Sequence, residues 1–231
     1  MSDRYSRQTM LPGWGAETQQ RLLDATVLIV GVGGIGSATA TYLAGAGVGH
    51  LILADPDKVS LSNLQRQVLY DTSMIGESKT ECAARRLTSL NPHIRITIVS
   101  EGLTPENASQ LISQADIVAD CTDNYTTRFL INDICRELST PWVYASIGEF
   151  LGQVSIFTPD SPTGYSDLFP DRDLLCSLPH AAGGVIGAVP GVAGAIQAGE
   201  IIKLLTGKGT PAISRLISFN LLDLDFQVIN L

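Results

Sequence analysis

The chain has 231 residues, 45% of them hydrophobic, which is enough for one substantial core and carries no bias toward disorder. Its 15 basic and 23 acidic residues leave a net charge of −8 and a pI near 4.8, which argues against a nucleic-acid partner, since phosphate backbones are held chiefly by clustered Lys and Arg. Cys82, Cys121, Cys135 and Cys176 lie far apart with no C-x-x-C pair, so neither a zinc knuckle nor a disulfide framework is indicated, and buried free thiols are expected for at least three.

Met1 to Leu28 spreads Asp3, Arg4, Arg7, Glu17, Arg21 and Asp24 through polar sequence, unlike a secretory or transit segment, and a cytoplasmic protein is expected. A polar helix near Ala16 to Asp24 precedes Val27-Leu28-Ile29-Val30, four apolar residues that read as a buried parallel strand. Gly31-x-Gly33-x-x-Gly36 then turns the chain into a helix spanning Gly34 to Gly45. Glycines there let backbone approach a phosphate, and the first helical N–H groups supply partial positive charge. Asp55 closes a second strand, Leu51 to Ala54, 19 residues past Gly36, where a ribose hydroxyl would meet an acceptor. Tight strand-to-helix packing is the competing reason for such a turn.

Further along, the pattern predicts a short helix around Leu61 to Leu69, a helix from Gly76 to Leu90 stopped by Asn91-Pro92, and an alternating strand from Ile94 to Val99. Helix Pro105 to Gln114, strand Ile117 to Cys121, helix Tyr125 to Leu138 and strand Trp142 to Ser146 continue the alternation of a doubly wound, Rossmann-like α/β sheet. Gln153 to Thr158, Ile213 to Asn220 and Asp225 to Ile229 extend it as antiparallel strands into a mixed sheet. The expected organisation is one domain over 1–231: an N-terminal arm (1–26), a nucleotide-binding core (27–158), a long broken crossover (159–184), and a helix with C-terminal strands (185–231). Loops as long as that crossover usually cover a site. The apolar run Val185 to Ile202, rich in Gly and Ala and broken by Pro190, Gln197 and Glu200, falls short of a membrane span, so no membrane is expected. Core burial or a subunit interface would each explain the small residues of the helix from Val185 to Leu205.

Four polar groups stand where nucleotide chemistry would use them: Arg66, Lys79, Asp123 and Asn124. Asp123 follows a strand at the carboxyl edge of the sheet, where a carboxylate can hold magnesium or simply cap the helix starting near Asn124. Arg66 and Lys79 are cations suited to charge developing on a polyphosphate, though either alone would pass for a surface charge.

Arg4-Tyr5-Ser6-Arg7-Gln8, Gly31-Val32-Gly33-Gly34-Ile35-Gly36, Leu61-Ser62-Asn63-Leu64-Gln65-Arg66-Gln67 and Asp120-Cys121-Thr122-Asp123-Asn124 together resemble the ThiF/MoeB/HesA adenylyltransferases, bacterial relatives of ubiquitin-activating enzymes. The likeness runs from Arg4 to about Phe226. It implies an enzyme dependent on ATP and Mg2+ that adenylates the C-terminal glycine of a ubiquitin-like sulfur carrier ending in Gly-Gly, releasing pyrophosphate. Carried over residue by residue, Gly31, Gly33, Gly34 and Gly36 would hold the nucleotide, Asp55 the ribose, and Asn63, Arg66 and Lys79 the phosphates. Asp57 and Asn124 would belong to the same nucleotide-binding set, and Asp123 would hold magnesium. Arg7 would reach the active site of the other protomer in a homodimer. The wording of Arg4 to Gln8 and Leu43 to Gly49 is nearest the thiamine branch, with a molybdopterin-type carrier as the alternative.

The sequence departs from the family in two places. Zinc-binding relatives carry C-x-x-C where this chain has Gly164-Tyr165-Ser166-Asp167, and a second pair near the C-terminus that has no counterpart before Leu231, so no zinc is expected. The cysteine that some members use for sulfur or thioester chemistry aligns best with His180, while Cys176 lies four residues earlier. Three other readings stay open: an NAD-dependent oxidoreductase, which shares the glycine turn and Asp55; a catalytically silent carrier-binding scaffold; and an adenylyltransferase that modifies a ribosomal peptide.

Overall fold

In a computed structural model, which describes residues 3–178 and 183–231, eight strands form one mixed sheet in the order β3-β2-β1-β4-β5-β6-β7-β8. The helices and strands run, in chain order, α1 (Ser6–Thr9), α2 (Gly15–Asp24), β1 (Thr26–Val30), α3 (Gly34–Ala46), β2 (His50–Ala54), α4 (Lys79–Leu90), β3 (Arg95–Val99), α5 (Ala108–Ile112), β4 (Ile117–Asp120), α6 (Tyr125–Glu137), β5 (Trp142–Gly148), β6 (Leu151–Phe157), α7 (Tyr165–Leu168), α8 (Arg172–Ser177), α9 (Ala188–Thr206), β7 (Arg215–Asn220) and β8 (Asp225–Asn230). Strands β3, β2, β1, β4 and β5 are parallel, and β6 to β8 add antiparallel. The expected mixed α/β sheet is what forms. β5 and β6 join through Glu149 and Phe150 in a tight hairpin whose first residue has φ +50°.

The sheet's two faces explain its continuous apolar strands. Val27 and Ile29 pack with Leu43, Leu51 and Ala193 on one side, while Leu28 and Val30 pack with Ile52, Phe129 and Tyr144 on the other. Alternate residues of one strand point to opposite faces, so a strand covered on both sides must be apolar throughout.

Several expected elements differ in extent. The helix from Leu61 to Leu69 is a single 3-10 turn, Leu61–Asn63, because the Asn63 carboxamide turns back to accept from the Ser60 N–H at 3.2 Å. Tyr70 donates to the Val32 carbonyl at 2.7 Å, wrapping this segment onto the glycine turn. The helix expected from Gly76 begins only at Lys79: Gly76 sits at φ +90°, and Ser78 is the N-cap. The crossover holds α7 and α8 rather than unbroken loop, and Tyr165 is wholly buried among Phe129, Trp142, Tyr144, Phe157 and Phe169. Part of the crossover is therefore core. At the spacing where zinc-binding relatives place a C-x-x-C pair, the Asp167 carboxylate accepts from the Gly164 N–H at 2.8 Å and closes the turn.

Helix α9 also corrects the sequence reading. With 19 residues it is long and apolar enough to cross a membrane by length and composition. Here it packs on α3, β5 and β6, burying Val189, Ala193, Gln197, Ala198 and Ile201. Its small residues serve this packing, Gly194 lying directly against Ile35 and Ala38 of α3.

Candidate active site

The parallel strands reverse order between β1 and β4, and in open α/β sheets ligands collect at the carboxyl rim beside such a switch. The glycine turn leaves β1 at that rim. Gly31 has φ +88°, and a Cβ there would stand 2.9 Å from the Cys121 carbonyl oxygen. A Cβ on Gly36 would collide with the Gly31 carbonyl oxygen. Gly33 caps α3 and Gly34 opens it, so the first N–H groups of a 13-residue helix face the rim. The competing explanation, close packing alone, accounts for Gly31 and Gly36 but not for the cations gathered beside them.

A chain of hydrogen bonds joins this turn to Lys79. Asp55, 5% exposed, accepts from the Val32 N–H through Oδ2 and from the Asp57 N–H through Oδ1, both at 2.8 Å. Asp57 Oδ2 in turn meets Lys79 Nζ at 2.8 Å. Burial pushes the Asp55 carboxyl above the usual aspartate value, against the pull of nearby Lys79 and the two backbone donors. The Lys79 side chain is 6% exposed and its Asp57 partner 65% exposed, so the ammonium is held from the solvent side. Asp57, expected among the nucleotide ligands, spends its carboxylate on Lys79.

Arg66 follows the 3-10 turn, donates to the Ser62 carbonyl at 3.0 Å, and lays its stem against Gly34. Asn63 is occupied in capping that turn. On the other side of β1, Asp123 lies exposed just beyond β4. The bond capping α6 comes from Asn124, whose Oδ1 accepts from the Thr127 N–H at 2.9 Å, so the cap considered for Asp123 belongs to its neighbour. Strands lie about 4.8 Å apart, which separates the β2 and β4 ends of the rim by roughly 10 Å, a span suited to a triphosphate.

Arg7 is not brought to this rim within one chain. It is exposed on α1, whose neighbour Gln8 donates to Ala46 at the far end of α3, and 13 helical residues put about 20 Å between that end and the glycine turn. Cys176 is partly buried on α8, and Arg172 of the same helix is engaged by Asp133 at 2.6 Å and by the Phe129 ring at 4.9 Å. His180 lies outside the described residues. Cys82, Cys121 and Cys135 are buried free thiols. Among the described residues no group of three or more His, Cys, Asp or Glu gathers to hold a metal ion.

Three buried polar residues beneath the rim have no site role in the sequence reading. Asp120 is fully buried at the end of β4 and faces Arg128 of α6, Nε to Oδ2, at 3.5 Å. Gln197 of α9, also fully buried, donates to the carbonyls of Asp120 and Val143 at 2.8 Å each and accepts from Thr39 Oγ1 at 2.7 Å. A charge inside the apolar run Ile117 to Cys121 was the available signal for Asp120, and a polar break in the apolar run Val185 to Ile202 that for Gln197; Arg128 carries none.

This combination defines a Rossmann-like nucleotide-binding protein with an added antiparallel extension. A protein-family model described as "ThiF family" matches residues 5–231. The chain is 49% identical over 210 residues to the sulfur carrier protein ThiS adenylyltransferase of Escherichia coli K12, covering 90% of this chain and 83% of that protein. It is 40% identical to a sulfur carrier protein adenylyltransferase of Thermus thermophilus, covering 97% and 85%. Among solved structures, E. coli MccB crystallised with ATP superposes with a TM-score of 0.83 at 25% identity, over 100% of this chain and 72% of that one. The chain belongs to the ThiF family.

Proposed function

We propose that this protein activates the C-terminal carboxylate of a ubiquitin-like sulfur carrier by adenylation. An oxygen of the terminal glycine carboxylate attacks the α-phosphorus of ATP, the bond from that phosphorus to the bridging oxygen breaks, and pyrophosphate leaves. The acyl-adenylate retains the carrier's acyl group for sulfur transfer. The observation that carries this reading is the convergence of the glycine turn, Lys79 and Asp123 on one rim, Lys79 and Asp123 on either side of β1.

In this reading the turn from Gly31 to Gly36 seats the phosphates, and Asp55 holds the turn while facing the ribose. Lys79 and Arg66 offset charge as pyrophosphate departs. One exposed carboxylate at a strand end fits Mg2+, which keeps much of its water and takes only one or two protein carboxylates beside substrate phosphates. Asp123 would hold it there, and the bound ion would neutralise phosphate charge. Arg7 would come from the second protomer of a homodimer. A cytoplasmic setting goes with a reaction that consumes ATP.

Identity of 49% to a ThiS adenylyltransferase supports a thiamine-type carrier ahead of a molybdopterin-type one. The oxidoreductase reading shares the glycine turn but gives Lys79 and Asp123 no work. The test is ATP–pyrophosphate exchange across a panel of carriers ending in Gly-Gly, with a ribosomal peptide as a further arm. Exchange that depends on a Gly-Gly carrier and is lost in Asp123→Ala with the fold intact is the expected result. Carrier-independent inertness would favour the silent scaffold, and unchanged activity in Asp123→Ala would remove that residue from the mechanism.

A further inference from the structure

Residues on both sides of Asp123 are clamped. Thr122 uses every polar group it has: its N–H and hydroxyl donate to Asp120 Oδ1 at 3.0 and 2.6 Å, and its carbonyl accepts from Arg128 Nη2 at 2.7 Å. Asn124 is fixed by its own cap to Thr127.

The clamp rests on a buried ion pair. Asp120 is 0% and Arg128 5% exposed, and their facing atoms Oδ2 and Nε have no hydrogen-bond partner. The Arg128 guanidinium lies 5.2 Å from the Tyr144 ring centre and 5.7 Å from that of Tyr125, which fixes its plane. A buried ion pair contributes little net stability compared with apolar residues of the same volume, so stability alone does not account for one here. Its geometry does, because a planar guanidinium can span a carboxylate and a carbonyl at once, which a lysine cannot.

We infer that Arg128, braced by Asp120, is a positioning residue that holds the Thr122–Asn124 corner so that Asp123 meets the reacting phosphates in one geometry. The inference rests on the adenylation reading above. Arg128 touches no substrate; it acts through Thr122.

Two variants test it. Arg128→Lys keeps the charge beside Asp120 but gives up the second contact, and the double variant Asp120→Asn/Arg128→Gln leaves no buried charge unpaired should the first fail to fold. Hydrogen–deuterium exchange over Cys121–Asn124, measured without ATP, should quicken at least about tenfold while β1 stays protected. In pyrophosphate exchange kcat should fall by about 10- to 100-fold with KM for ATP within about threefold, as expected when alignment rather than ground-state binding is lost. Wild-type deuterium exchange at the corner overturns the inference, and so does a quickened corner with unchanged kcat. Asp123→Ala run in parallel separates the layers: if it is inactive while the Arg128 variants are fully active, only the positioning role falls, whereas an active Asp123→Ala enzyme brings down the reading beneath it.

Discussion

Lys79 is a side chain whose structural weight can be separated from its proposed role on the phosphates. Its direct partner Asp57 is 65% exposed, so that carboxylate is left in water when the ammonium is removed. Buried Asp55 keeps its two backbone donors and answers the loss of the Lys79 attraction by titrating higher still rather than by standing as an unpaired charge. Lys79→Met should therefore change unfolding free energy by less than about 1 kcal/mol. Pyrophosphate exchange should nevertheless drop by roughly 100-fold or more, the usual loss when one preorganised charge on a developing anion is removed. Chemical denaturation alongside the exchange assay checks both halves. Asp55 predicts a pH signature. Its carboxyl titrates higher in the folded chain than in the unfolded one because of burial, so the contribution is fully present below the unfolded value and lost as pH rises through the folded one. Asp55→Asn removes that loss, and its melting temperature relative to wild type should climb as pH is raised from about 4 toward neutrality; a constant difference would mean that Asp55 does not titrate differently on folding. Asp55 was legible because it ends an apolar strand after the glycine turn, whereas Lys79 was legible only through the family resemblance, since alone it passes for a surface charge. Arg128 was not, because a buried polar residue is spelled like an exposed one until its partners, distant in sequence, are known; Gln197 stood out only as a break in an apolar run.

At the scale of elements, apolar runs and glycine punctuation made the parallel half of the sheet readable strand by strand, and boundaries failed where capping decided them. Gly76 looked like a helix start, yet its positive φ makes it the turn before Ser78. The crossover was unreadable for a different reason: Tyr165 joins an aromatic core built from β5, β6 and α6, a long-range partnership that a four-residue helix does not advertise in its own composition. Helix α9 invites a direct test of small-residue packing. A Cβ at Gly194 would stand 2.5 Å from the Ile35 carbonyl oxygen and 2.8 Å from Ala38 Cβ, forcing α3 and α9 apart beside the glycine turn. Gly194→Ala should cost about 1–3 kcal/mol by overpacking, lowering Tm by about 2–4 °C for each kcal/mol in a chain this size. Gly199→Ala on the same helix, where the added methyl meets open space, should match wild type or exceed it through better helix propensity. Calorimetry on the pair separates contact from propensity.

At the scale of the molecule, the role proposed for Arg7 requires a second chain. Tyr5 accepts a hydrogen bond from Asn91, and Gln8 binds Ala46, so the arm carrying Arg7 is seated at the end of α3 away from the rim. One protomer cannot swing it across without breaking those contacts, whereas a two-fold axis can present it to a neighbour's site. If each site combines Asp123 of one chain with Arg7 of the other, Arg7→Ala and Asp123→Ala homodimers should both be inactive in pyrophosphate exchange. Denatured together in equal amounts and refolded, about half the dimers should be mixed, and each mixed dimer should hold one intact site made of the Asp123 in the Arg7→Ala chain and the Arg7 in its partner. Activity should then return to about a quarter of wild type. If Arg7 acted in its own chain, the mixture would stay as inactive as its parents, because every site would carry one lesion or the other. The outcome depends on which chain supplies the arginine and not on how tightly the chains associate, provided sedimentation confirms that the refolded mixture is dimeric.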